Sequence, residues 1–489
     1  MKIMKWVSAV IAAFLIISPL SAVSYAKETR TITDESIYDV LVDRYFNKNA
    51  GNDINVDRQD AAQFAGGDFN GLVDRLATIK KMGFTITSIG SVFTTETYDG
   101  WTPTSYEQLE PHFGTEQELK DLISAYNKEG IEIMVDFPLS NVSVNHEWVK
   151  DSAKQAWIKS EHNGLVQWDL ANAEVQAALQ EALMQFVNSY DFGGIRLTNI
   201  TDADTAFLNR LIDSLKAQNS ALYVISNEAS EANFDAAFAA DAATVYRNMF
   251  KNVDLSTADL LKDVEPYLEN QEAAPQLMID SLQTDRFVLD ATEQKMFPPT
   301  RLKMAILPLM FMPGVPVMQY GTEIAMNGEA GEQAHQIYNF KTEEELVDFI
   351  GNLQSIRNKS AAMRQGDFAL VENDNGLIAY TRKLEDEQWL VIANNTSKTK
   401  QIILKAEDIG EGKELRGVLS NEIVKQNKNN EYVVVLDREV SDVYQIIDER
   451  GWNIPYLVAL GIVYLLFVTF VIVIIKRGRQ KRSTKDAIQ

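Results

Sequence analysis

Three charged residues sit where short apolar runs end or pause, and they are the side chains of this 489-residue sequence best placed for chemistry. Asp136 closes the run 131–136, Arg196 lies inside 194–197, and Glu228 comes just after 222–226. Carboxylates in such places can serve as general acids, general bases or nucleophiles. An Arg between two carboxylates can equally form a charge-assisted network that only holds strand ends together. Thr198 offers a hydroxyl beside Arg196, a poor nucleophile without an activating base, and no base is evident in the sequence around it. The histidines are His112, His146, His162 and His335, and there is no cysteine. Disulfides, thiolate metal sites and thiol nucleophiles are therefore excluded.

The elements that must position these groups alternate. Runs at 36–42, 85–89, 131–136, 194–197, 222–226, 277–280 and 315–319 are short and apolar, with a weaker one near 244–246. Between them lie amphipathic helical patterns at 71–82, 116–129, 173–190 and 204–217. Strand then helix, repeated over nearly 300 residues, predicts an eightfold parallel α/β barrel at residues 27–360. Functional side chains of a barrel belong at the C-terminal ends of its strands. From about residue 361 to 448 the texture becomes short and β-rich, with Asn- and Gly-containing breaks, as in a small antiparallel sandwich.

Both ends carry membrane-related signals. Lys2 and Lys5, an apolar run from 6 to 20, and Ser24-Tyr25-Ala26 are laid out as a signal peptide cleaved after Ala26. Residues 454–475 contain no charge and are long enough for a membrane-spanning helix. Trp452 and Tyr456 would mark its outer boundary, and the tail 476–489 begins Lys476-Arg477. Basic flanks stay in the cytoplasm, so the expected placement is a single-pass cell-membrane protein with its large domain outside. Net charge is −23, and both leader and tail are basic, so the segment between them is more acidic still. That balance argues against nucleic acid as a partner and leaves cations admissible.

Several segments, in order, resemble glycoside hydrolase family 13, the α-amylase family. Ser36-Ile37-Tyr38 leading to Asp43-Arg44-Tyr45-Phe46 looks like its first strand, and Phe64 through Leu72 like the segment before its first helix. Glu110-Pro111-His112-Phe113-Gly114-Thr115 looks like the lead into its second helix, and Gly314 through Glu323 like its eighth strand and following loop. Only about thirty residues separate Asp136 from Gln167-Trp168-Asp169-Leu170, where the family usually inserts a domain. The resemblance implies retaining glycosidase chemistry, with a carboxylate nucleophile, a carboxylic general acid and a third acid.

Carried over residue by residue, it finds one of these acids. Glu228 matches the general acid, although it reads also as a solvated loop glutamate. The nucleophile position holds Thr198 and the third-acid position Gln283. Leu282, Asp99 and Asn141 stand where the family has sugar-contacting histidines. Arg196 and Asp136 match kept positions, and Tyr98 and Trp101 at the barrel mouth would suit sugar stacking. Asp202 and Asp204 lie beyond the fourth strand and would have to swing back to replace the nucleophile. Asn47, Asn49, Asn52, Asp53, Asp68 and the Gly66 carbonyl resemble a structural calcium site of the cyclodextrin-glucanotransferase branch, and read equally as an Asn-rich turn.

These substitutions predict a tethered pseudoenzyme that binds a glycan, a cell-wall polymer or a protein. Two alternatives remain open: an active α-glucan hydrolase or transglycosylase with a displaced nucleophile, and a protein-binding scaffold subunit of a membrane complex.

Overall fold

A computed structural model describes residues 30–270, 272–449 and 454–486. The leader expected at 1–26 lies outside the described residues, as does the link at 450–453. Eight short parallel strands form the barrel: β1 (Ile37–Asp39), β2 (Ile86–Ser88), β3 (Glu132–Pro138), β4 (Gly194–Thr198), β5 (Tyr223–Ser226), β6 (Ala236–Phe238), β7 (Ala274–Leu277) and β8 (Val315–Gln319). They pair in the order β5-β4-β3-β2-β1-β8-β7-β6, and β5 lies beside β6, so the barrel is nearly closed. Ile37, Ile86, Met134, Ile225, Ala236, Ala274, Val315 and Val317 share one buried cluster that fills it.

Six of the eight strands fall where the apolar runs predict. The sixth does not: residues 244–246 belong to a helix, Ala242–Phe250, and the strand is Ala236–Phe238. Val245, Tyr246, Met249 and Phe250 are buried at helical spacing, so tertiary packing overrides a weak β signal there. The seventh strand ends at Leu277, three residues before the expected 280, because the apolar stretch runs on past the last ladder pair.

Several of the surrounding helices begin at side-chain caps. Helix α1 (Phe69–Asp74) is capped by Asp68, whose Oδ1 accepts from Gly71 N at 2.6 Å. Thr115 and Glu118 make a reciprocal capping box on α2 (Glu116–Lys128), which buries Leu119, Leu122, Ile123 and Tyr126. Helix α3 is Ala173–Ser189, and Asp204 caps α4 (Thr205–Gln218) through Phe207 N at 2.7 Å.

The short excursion after β3 forms a three-stranded antiparallel sheet, Val142–Ser143, Ile158–His162 and Leu165–Trp168. His146 is fully buried there among Tyr106, Trp148 and Trp168. Its Nδ1 accepts from Trp148 N at 3.1 Å, capping a short helix, and Nε2 has no partner among the described residues.

Eight further strands build the C-terminal domain: β9 (Asp367–Asp374), β10 (Leu377–Leu384), β11 (Glu387–Asn394), β12 (Lys400–Lys405), β13 (Lys413–Gly417), β14 (Ile423–Lys425), β15 (Glu431–Leu436) and β16 (Val440–Asp448). One sheet runs β9-β10-β11-β16-β13-β14 and a second pairs β12 with β15. Buried polar groups fasten the domain to the barrel helix Pro298–Phe311. Tyr380 Oη donates to Pro308 O at 2.7 Å, Arg382 Nη1 to Phe311 O at 2.8 Å, and Arg301 pairs with Glu439 at 2.7 Å. Tyr456–Arg477 lies in a helix (Ile454–Asp486) long and apolar enough to cross a membrane, with mean hydropathy 3.1.

Burial lowers His146 from 6.5 to about 3. The stability this group supports is complete above about pH 6.5 and falls as the pH drops, because the unfolded state takes up a proton that the folded state refuses. The slope is about 1.4 kcal/mol per pH unit for one proton. His146→Asn keeps a capping oxygen and removes the titration. Urea denaturation of this variant between about pH 6 and 4 should show a flatter acid limb than the natural chain; an equal slope would show that the ring is charged in the fold.

Candidate functional site

The C-terminal ends of β3, β4, β5 and β7 bring the mapped positions together. Asp136, Thr198, Asn199, Asn227, Glu228, Ser281 and Gln283 line one cleft of about 490 Å³, with Trp101 and Asn141 on its wall. The cleft lies where a barrel places its reacting groups. Asp136 and Glu228 are its only acidic lining residues among those described.

Beneath the cleft, Arg196 is held between two carboxylates. Its Nε and Nη2 donate to Asp136 Oδ1 and Oδ2 at 2.7 and 2.9 Å, and its Nη1 and Nη2 donate to Asp39 Oδ2 and Oδ1 at 2.8 and 3.1 Å. All three residues are at least 94% buried, as relative exposures of 6%, 5% and 5% for Asp39, Asp136 and Arg196 show. Burial alone would lower the guanidinium, but the two carboxylates outweigh it and raise Arg196 above its ordinary value. Burial pushes Asp136 up, against the pull of Arg196. Register explains the geometry: Asp136 pairs with Arg196 across β3 and β4, while Asp39 ends β1 level with Ser88 and Gln319. Asp39 was missed in the sequence because it lies inside the run 36–42, whereas the strand itself ends at Asp39.

Glu228 is turned onto the loop after β4. Its two oxygens accept from Ile200 N at 3.2 and 3.1 Å, and Thr201 Oγ1 donates to Oε2. Asn199 occupies the mouth beside it in the left-handed region, φ 55°. Asn199 Nδ2 donates to Ser140 O at 3.1 Å, and Asn141 Nδ2 donates to Asn199 Oδ1 at 3.0 Å. Neutral amides thus knit the ends of β3 and β4.

The two carboxylates that could have replaced a nucleophile are engaged elsewhere. Asp202 pairs with Lys159 at 3.1 Å, and Asp204 caps α4. Gln283 is exposed, with Ser281 Oγ donating to its Oε1 at 3.3 Å. Leu282 is buried, and its carbonyl meets His335 Nε2 at 2.7 Å. Asp99 Oδ1 accepts from Thr97 Oγ1 at 2.6 Å and Trp101 N at 3.0 Å, holding its own turn. Tyr98, expected as an exposed stacking residue, is buried instead: Arg44 lies 3.7 Å over its ring, and its hydroxyl is 2.9 Å from His335 Nδ1. Trp101, half-buried, lines the cleft, as does Phe238.

The expected cation ligands gather in one loop but are not equally free. Asp68 Oδ1 caps α1, and its Oδ2 accepts from Lys48 N and Asn49 N at 2.8 Å each. Asn49 Oδ1 accepts from Gly51 N at 3.1 Å. Asn47 Nδ2 donates to Asp53 Oδ1 at 2.8 Å, and Gly66, at φ 87°, packs so close that a Cβ would lie 2.4 Å from that amide nitrogen. Asn52 Oδ1 is buried with no partner among the described residues. Asp68 and Asn49 are therefore spent on backbone donors and Asp53 Oδ1 on the Asn47 amide, while Asn52 Oδ1 stays open to an oxygen-seeking cation. Among the described residues no three His, Asp or Glu side chains converge as a metal site.

Comparison with known proteins decides the family. The α-amylase catalytic-domain model matches residues 39–171 and the α-amylase C-terminal-domain model residues 366–444. An α-amylase from Anoxybacillus superposes with a TM-score of 0.81 at 30% identity, over 86% of this chain and 100% of that one. This chain belongs to the α-amylase family, glycoside hydrolase family 13. An α-amylase of Geobacillus thermoleovorans, solved with acarbose, follows at 0.80 and 27% identity, with the same coverage of 86% and 100%. A cyclomaltodextrinase of Thermoanaerobacter pseudethanolicus is 22% identical over 82% of this chain and 77% of its own length. In this α-amylase-family chain the matched catalytic segment ends before Thr198, Glu228 and Gln283.

Arg196→Met should destabilise the fold by about 3–5 kcal/mol, because it leaves two buried carboxylates without their counter-charge. Urea denaturation at neutral pH measures this. A loss below about 1 kcal/mol, typical of an exposed pair, would show that water reaches the network.

Proposed function

We propose that this chain is a membrane-tethered, extracytoplasmic member of the α-amylase family that holds an α-glucan in its cleft without hydrolysing it. The observation that carries the reading is the double commitment of the cleft's two carboxylates. Glu228 accepts from the Ile200 amide with both oxygens, and both oxygens of Asp136 are in the Arg196 fork. Retaining hydrolysis needs a nucleophile and an acid about 5–5.5 Å apart across the sugar, and Thr198 and Gln283 stand where the family has two of its acids. A threonine hydroxyl would need a base, and Asp202 and Asp204 are engaged elsewhere.

Binding survives the loss of charge. Asn141, Asn199, Asn227, Ser281 and Gln283 line the cleft with amide and hydroxyl groups, and Trp101 adds an apolar face, a combination suited to a neutral polyhydroxy ligand. α-Glucan is favoured over other polymers because the similar proteins are amylases and cyclomaltodextrinases. The tether rests on the apolar helix, and the basic start of the tail supports an outward-facing domain. Calcium at Asn47, Asn52, Asp53 and the Gly66 carbonyl would staple the first loop to the segment before α1. Its role there is structural.

Three outcomes test these parts. The chain should release no reducing sugar from maltooligosaccharides above a mock control, a loss of about 10⁴–10⁶ relative to an active site of this kind. Turnover abolished by Glu228→Gln would contradict the reading. In intact protoplasts, external protease should remove the large domain and leave a tag on the 476–489 tail protected; digestion of that tag would reverse the topology. A chelator should lower the melting temperature of the natural chain and leave that of Asp53→Asn unmoved, since a ligand of the folded state stabilises by mass action. Equal responses would remove calcium from this loop.

A further inference from the structure

The outer two-stranded sheet of the C-terminal domain carries aliphatic side chains on both faces. Ile402 and Leu404 of β12, with Tyr432, Val434 and Leu436 of β15, enter the core. The opposite face pairs Ile403 with Val433 and Gln401 with Val435, and ends on the charged pair Lys405 and Glu431. Beside it, β14 buries Val424 and exposes Ile423. Ile403, Ile423 and Val435 are 52%, 54% and 50% exposed. Antiparallel sheets with one solvated face ordinarily alternate apolar-in and polar-out. Scattered aliphatics need no partner, but neighbouring ones on one sheet face mark a contact surface.

The chain itself says what this surface meets. Lys413 N donates to Tyr432 Oη at 2.9 Å, Tyr432 Oη to Gly410 O at 2.9 Å, and Glu449 N to Gly412 O at 2.8 Å. Glu449 also pairs with Lys425 of β14 at 2.6 Å. The end of the domain is thus pinned where β15 begins, two positions before Val433. From Glu449 to Ile454, the first residue of the apolar helix, is five residues, which span at most about 18 Å when fully extended.

Resting on the membrane-tether reading, we propose that the aliphatics Ile403, Val433 and Val435 of this face, with Ile423 on the neighbouring edge strand, lie against the outer leaflet of the membrane and fix the height and tilt of the tethered domain. The contact is apolar rather than ionic. Three nearby lysines are already paired, Lys405 with Glu407 at 3.2 Å, Lys413 with Asp448 at 2.6 Å and Lys425 with Glu449. A few half-exposed aliphatics would hold a free domain weakly, but a short tether converts that binding into an intramolecular event.

The absence of cysteine makes the test direct, since one introduced cysteine is the only labelling site. The full-length chain carrying Ile403→Cys, Val435→Cys, Leu370→Cys or Leu465→Cys is labelled with an environment-sensitive fluorophore. It is then reconstituted in phosphatidylcholine vesicles with or without a lipid-borne quencher. Labels at 403 and 435 should be quenched at least threefold more than the label at 370, on the far edge strand β9, and replacing a third of the lipid with an anionic one should leave the ratio unchanged. Equal signals at 403 and 370, with 465 quenched, would overturn the docking and leave the tether standing. An unquenched label at 465 would remove the tether and the docking with it.

Discussion

The charge-assisted fork at Arg196 ties together three strands that are far apart in the chain. Asp39, Asp136 and Arg196 come from β1, β3 and β4, and their side chains meet below the cleft with nearly all solvent excluded. Three buried charges are costly unless each is paired and hydrogen-bonded, and here every carboxylate oxygen has a guanidinium donor. Removing any one strands the others. The network therefore keeps the mouth of the barrel in shape whether or not a sugar is cut above it. Asp136 and Arg196 persist for a reason that requires no turnover.

The groups above the fork obey a different constraint. A glycosidase needs carboxylates that are aimed at the sugar and ready to change charge. In this cleft Thr198, Gln283 and Asn141 cannot change charge, and Glu228 is held by the amide of Ile200. Asn199 fills the strand end in a left-handed conformation that Asn tolerates, linking Asn141 to Ser140. Hydroxyl and amide dipoles can bind the ground state of a sugar. On the function proposed above they offer nothing stronger to a transition state carrying positive charge, so binding would not become rate.

Much of the barrel was legible in the sequence because its strands are buried runs bounded by polar turns. β1 to β5 and β8 were visible for that reason. β6 was not, since Ala-Ala-Phe has neither length nor β-branching, while the β-branched pair Thr244 and Val245 sits in a helix whose packing decides its form. At the site, Thr198, Glu228 and Gln283 could be placed from their positions after strands. What each side chain touches could not. The turn of Glu228 toward Ile200, the burial of Tyr98 under Arg44 and the share of Asp39 in the fork all arise from residues distant in sequence. The same limit applied to the loop at Asn47: its oxygens could be counted, but the capture of Asp68 by three backbone amides could not.

The central claim is that the cleft holds an α-glucan while Glu228 stays on the loop. A crystal structure of the barrel with its C-terminal domain, soaked for days with a maltooligosaccharide, tests it most directly. An intact chain against Trp101, with Glu228 still accepting from Ile200 N, is the predicted result. A shortened sugar, or a sugar bonded to a carboxylate oxygen of the protein, would contradict it.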